Sequence, residues 1–143
     1  MLRSVIIVSC CALLAWFFGC IVTYRIGKRT LVDGMGIKSA EFGMFSLFAI
    51  SIVLFIFLSS IGKWALTIVL LLWFVIQFLC HWRYTIFGAS ERKLKGYNEC
   101  FEKTIKLIPA SDKRIFPDLY HVILHLLILS NLILSEAFII VNQ

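Results

Sequence analysis

Residues Phe42–Trp82 read FGMFSLFAISIVLFIFLSSIGKWALTIVLLLWFVIQFLCHW, 41 residues in which Lys63 is the one Lys, Arg, Asp or Glu. A helix needs roughly 20 residues to cross a hydrocarbon core of about 30 Å, so this stretch is long enough for two spans. They read as Phe42–Gly62 and Trp64–Trp82, joined by little more than Ser60, Ile61, Gly62 and Lys63. A link that short predicts a tight antiparallel hairpin. In lipid every backbone N–H and C=O must find an internal partner, which leaves helices at these lengths.

The same pattern recurs on both sides. Ser4–Tyr24 is a 21-residue apolar run and Leu119–Gln143 a 25-residue one, its span taken as 119–140. The chain of 143 residues is 61% hydrophobic and 15% charged, with mean hydropathy +0.95, against about 45–50% and about 25% in ordinary soluble domains. The predicted fold class is all-α: a four-span antiparallel transmembrane helical bundle, one integral membrane domain over 1–143, with a short cytoplasmic amphipathic interfacial helix. The longest stretch outside the spans, Arg83–Asp118, has 36 residues, and chains below about 40 seldom fold alone. Function therefore belongs to the bundle or its rim.

Composition excludes several classes. The basic residues flank spans instead of lining an aromatic surface, so no nucleic acid is expected. Cys10, Cys11, Cys20, Cys80 and Cys100 contain no CxxC pair, and they read as small apolar residues, not as a disulfide or zinc framework. The first run exceeds a signal-peptide core, and bulky Phe17 and Phe18 suit cleavage poorly, so it reads as a retained span. Gly34-Met35-Gly36-Ile37-Lys38-Ser39 lacks the third glycine and preceding strand of a phosphate loop and reads as a turn.

Charge sets the expected orientation. The loops 25–41 and 83–118 hold 12 of the 14 Lys and Arg residues, leaving Arg3 and Lys63 for the other side. By the positive-inside rule both loops are cytoplasmic and both termini outside, in a plasma or inner cell membrane, with Trp64 and Trp82 at opposite interfaces. Within the second loop, Leu94, Tyr97, Phe101, Ile105 and Ile108 recur at helical spacing after a Ser90 cap. They predict an interfacial helix over 91–108, ended near Pro109, with Pro117 in the first turn of the last span. Its apolar side is either a connector resting on the inner leaflet or a docking surface or lid.

Two patterns lie inside the spans. Cys11, Ala15, Gly19 and Thr23 form a stripe of small residues four apart, a face along which helices approach closely, inside the monomer or against another subunit. The second pattern is polar. Gln77 and His81 share a face near the cytoplasmic end of span three, while Asp118, His121 and His125 fall within about 60° of one another at the start of span four. Glu41 begins span two at that interface, and a polar pocket there is geometrically feasible.

Three chemistries fit those residues: a satisfied structural cluster, a metal or haem site on His81, His121 and His125, or proton handling and acid–base catalysis on His81, Asp118, His121, His125 and Gln77. The middle of the spans offers Ser51, Ser130 and Asn131, none ionisable, with Glu136 close to the outer interface. That argues against an ion-coupled transporter, and Asn131 reads as an interhelical hydrogen bond.

The leading expectation is a non-catalytic multi-pass membrane protein acting through helix packing, as a homo-oligomer or an accessory, regulatory or immunity-type subunit. It has the bilayer and a membrane protein as partners, and no cofactor is expected. The alternatives are an inner-leaflet enzyme or metal- or haem-binding redox subunit using the histidines, and a small transporter or channel subunit.

Overall fold

The computed structural model describes residues 1–109 and 111–142. The chain is mostly helical, and four of its helices are long and apolar enough to cross a membrane: Leu2–Cys20, Ala40–Phe57, Ser59–Phe87 and Leu119–Val141. In chain order the elements are α1 (Leu2–Phe17, then a 3₁₀ turn to Cys20), β1 (Tyr24–Ile26), β2 (Arg29–Val32), α2 (Ala40–Phe57), α3 (Ser59–Gln77), a π-helical turn (Phe78–Trp82), α4 (Arg83–Phe87), α5 (Glu91–Cys100) and α6 (Leu119–Val141).

Helices α1, α2, α3 and α6 pack in a ring, each against two neighbours. The core inside it is aromatic: the Trp73 ring lies 4.3 Å from Phe17 and 5.4 Å from Phe48, with Ile6, Leu13, Leu66, Leu70, Leu124 and Ile128 filling the remainder. The outward faces carry exposed Val8, Ile50, Val53, Ile68, Leu71 and Ile133. So much apolar surface would be a liability in water and is ordinary against lipid tails.

Polar contacts tie the helix ends together. At one end Arg3 Nη2 donates to Ile56 O at 2.6 Å and Lys63 Nζ to Asn142 O at 3.0 Å. At the other, Trp16 Nε1 donates to Tyr120 O and Tyr120 Oη to Trp16 O, while the two rings stack at 5.4 Å. Midway, fully buried Asn131 accepts from Cys10 Sγ at 3.2 Å and returns its amide to Leu127 O.

Several expectations need correction. Span one does not run to Tyr24. Its helix stops at Cys20, and Tyr24–Val32 adds a small antiparallel hairpin to the otherwise helical chain. Ile26 pairs with Arg29 across Gly27-Lys28, and Gly27 sits at φ +60°, where a two-residue turn favours glycine over any residue with a Cβ.

The small-residue stripe is not the face α1 buries. Cys11 and Ala15 are exposed, while Ile6, Cys10, Leu13 and Phe17 point inward. Gly19 is buried, but a Cβ there would meet Val32 of β2 at 2.7 Å and Tyr120 at 3.1 Å. Thr23 lies beyond the helix and accepts from Gly34 N while donating to Asp33 Oδ1.

The hairpin between α2 and α3 is tighter than expected, because Leu58 alone links them. Gly62, already inside α3, rests directly on the Leu54 backbone, an approach only glycine permits. Span three also continues through the π turn to Phe87.

The helix expected over 91–108 ends at Cys100. Ile105 then leaves helical geometry to accept from Leu119 N at 2.8 Å, and Lys106 bridges to Asp118, a backbone pairing that helix propensity in this segment does not offset. Ile108 is exposed. Pro117 is buried and sits outside α6, one residue before its cap.

Candidate functional site

The polar residues that the sequence places near one end of spans three and four do come together. Asp118 is the N-cap of α6, and its Oδ1 accepts from the His121 backbone N–H at 3.0 Å, satisfying one of the donors a helix start leaves free. The same oxygen lies 2.7 Å from His121 Nδ1. The pair is nearly enclosed, with 2% of the Asp118 side chain and 14% of the His121 side chain exposed. Burial acts to raise the Asp118 carboxyl, but the hydrogen bonds and charge of His121 outweigh it and hold the group below the usual carboxylate range.

One turn further along α6, His125 is bonded at both ring nitrogens. Trp82 Nε1 donates to Nδ1 at 2.8 Å, and an indole N–H can only donate, so Nδ1 is the acceptor. The ring proton is then on Nε2, 3.0 Å from Gln77 Oε1. His125 is held as one neutral tautomer, and reassigning either nitrogen to other chemistry breaks a bond between α6 and the α3 segment.

The π turn makes this possible. Gln77 and Trp82 are five residues apart, which in an α-helix points them about 140° apart. The wider turn over Phe78–Trp82 brings both onto His125. Single π turns inside α-helices cluster at functional positions.

His81 lies within that turn and is buried. Its ring centroid lies 4.6 Å from His121 and 5.2 Å from His125. Its Nδ1 is 3.3 Å from Tyr97 Oη. Burial, with smaller contributions from Asp118 and Cys100, pushes the Tyr97 phenol above its ordinary value, so it stays a neutral O–H partner.

Helix α5 therefore covers the cluster. Leu94 and Tyr97 are buried with Ile115 against Tyr84, Ala89 and Phe101, and the Phe101 ring meets His121 edge-on at 5.2 Å. The segments around α5 are anchored to the bundle: Thr85 Oγ1 donates to Ile115 O at 2.6 Å and Ala89 N to Lys113 O at 3.0 Å.

Among the described residues, no three His, Cys, Asp or Glu side chains converge to hold a metal ion. The imidazoles pack ring against ring, and both His125 nitrogens are occupied. Glu41 is exposed in the first turn of α2 and outside the cluster's hydrogen bonds. A cavity of about 200 Å³ lies elsewhere on the rim, lined by Thr30, Asp33, Glu99, Cys100, Glu102, Lys103 and Thr104. A shallow apolar groove runs along Ser4, Val5, Val8, Ser9 and Ala12 of α1.

Sequence reasoning missed Trp82 and Tyr97 as members of the cluster. Trp82 reads as an interfacial anchor because regular helical periodicity turns it away from Gln77, and Tyr97 reads as lipid-facing because its helix looks unpartnered. No protein family, curated protein or solved structure matches the chain.

Proposed function

We propose that this chain is a small multi-pass membrane protein that works without catalysis, through helix packing, as a homo-oligomer or an accessory, regulatory or immunity-type subunit. The observation that carries this reading is His125. Its two ring nitrogens are engaged by Trp82 and Gln77, so the most deeply placed histidine is a strut between helices and not a free acid, base or ligand. Interhelical hydrogen bonds of this kind serve packing in lipid.

The bundle is antiparallel in this account. Support comes from the contacts that pair the start of α1 with the end of α2, and the start of α3 with the end of α6. The basic loops 25–41 and 83–118 face the cytoplasm of a plasma or inner membrane and the termini face outside. The histidine cluster and α5 then lie at the inner leaflet, where the exposed charged side of α5 meets headgroups.

Native mass spectrometry after gentle extraction tests the functional reading. The expected result is a mass containing at least two protein chains, either copies of this 16.4 kDa chain or one copy with a partner. A monomer without partner that turns over a substrate overturns it.

One observation favours an inner-leaflet enzyme as the second reading. Asp118 fixes His121 through Nδ1 at 2.7 Å, the arrangement in which a carboxylate orients an imidazole for acid–base work through Nε2. Loss of a turnover in His121→Gln, at unchanged stability, would establish it.

A further inference from the structure

We propose that the adjoining rings of His81 and His121 are a proton-operated latch for α5: acidification on the cytoplasmic side releases Glu91–Cys100 from the bundle and exposes its apolar face to the inner leaflet. This inference rests on the non-catalytic reading above and adds its regulation.

The geometry limits how much charge the docked arrangement can hold. The two rings are 4.6 Å apart, so two imidazoliums would stand closer than a Debye length in a nearly water-free site. The groups facing His81 are Asp118, His121 and His125 from α6, and Lys93 and Tyr97 from α5. Asp118 supplies one negative charge, already committed to His121. Lys93, exposed on α5 and resting over the Tyr84 ring, adds a weaker positive charge nearby. The docked state therefore has room for no more than one positive charge on these adjoining rings.

Release of α5 changes that balance. Lys93 departs, headgroups and water reach His81, and a second proton can bind. The released state holds one more proton than the docked state, so docking weakens as pH falls through the range where a solvated imidazole titrates, about 6.5. What α5 uncovers suits a bilayer surface: Leu94, Tyr97 and Phe101 leave the cluster together. Asp118 remains ionised throughout, because His121 holds its carboxyl low.

Hydrogen exchange of the full chain in phosphatidylcholine nanodiscs, corrected for the intrinsic pH dependence of exchange, tests the latch. Between pH 7.5 and 5 the protection of Glu91–Cys100 is expected to fall by about tenfold or more, while α2 and the first half of α3 keep theirs. His81→Phe preserves the ring packing, cannot be charged, and is expected to abolish the pH response. Lys93→Gln leaves the cluster in place and is expected to move the transition to lower pH. Flat protection of α5 across this range overturns the latch and leaves the non-catalytic reading standing. An undiminished response in His81→Phe, or simultaneous loss of protection throughout the bundle, also overturns it.

Discussion

Gln77 and Trp82, five residues apart in sequence, hold opposite nitrogens of the same ring, that of His125 on a different helix. Regular α geometry cannot do this, and the π turn between them can. The turn is a rare departure from α geometry, and the gain is a pinned junction between α3 and α6 at the end of the bundle that α5 covers.

Removing that junction is predicted to destabilise the bundle without abolishing a chemical activity. Gln77→Leu leaves His125 Nε2–H without its partner in an enclosed place, at a cost of about 1–3 kcal/mol. Reversible unfolding in mixed micelles measures it; a variant as stable as wild type would show that the bond contributes nothing.

The contact between Gly62 and the Leu54 backbone predicts a steric penalty at the α2–α3 hairpin. Gly62→Ala should cost about 1–3 kcal/mol because neither backbone can yield without opening the one-residue link at Leu58. The control is Gly43→Ala, where a Cβ meets open space; in helical α2 it should be neutral or stabilising by up to about 1 kcal/mol. Equal losses in both variants would contradict the close approach.

Asp118 sets the acid limit of the bundle. Its folded carboxyl lies below its unfolded value of about 3.9. The associated stability is present above that value and is lost as pH falls through the lower folded one. Asp118→Asn keeps a capping side chain but loses the charge-assisted bond to His121, so a deficit of about 1.5–3 kcal/mol at pH 7 is expected. The deficit should shrink below about pH 4, where wild type loses the same contribution. A deficit independent of pH would rule out an ionised Asp118 as its source.

The outward-facing Cys11 and Ala15 separate packing within the monomer from packing between chains. Cys11→Leu should leave monomer unfolding within about 0.5 kcal/mol of wild type, since the side chain buries nothing inside the bundle. If a second helix lies along that side, the same variant lowers the mass of the native complex. A large loss of monomer stability would mean that α1 is rotated from the orientation described.

The long apolar elements were legible because their lengths and composition answer to the bilayer alone. Thus Leu119–Val141 and Ala40–Phe57 begin within a few residues of where charge patterning puts them, and Ser39 and Asp118 cap them. Asn131 was legible for the same reason, as a polar side chain in lipid must find a partner.

Less legible was anything decided by tertiary pairing. The Tyr24–Val32 hairpin lies in a short basic loop segment with no long alternating run, and only Gly27 signals its turn. The end of α5 at Cys100 depends on backbone pairing between Ile105–Lys106 and Asp118–Leu119, which helical spacing in the sequence obscures. The structure does bring Gln77, His81, Asp118, His121 and His125 together, as their spacing placed them, while Trp82 required the π turn and Tyr97 required knowing where α5 docks.

A double-mutant cycle on Trp82→Phe and His125→Phe, read by unfolding free energy in the same lipid environment, tests the structural role of the cluster most directly. If the indole N–H to imidazole bond holds α3 to α6, the two residues couple by about 0.6–1.7 kcal/mol, the range of interhelical hydrogen bonds in membranes. Strictly additive effects would contradict the account and return His125 to the pool of groups free for chemistry.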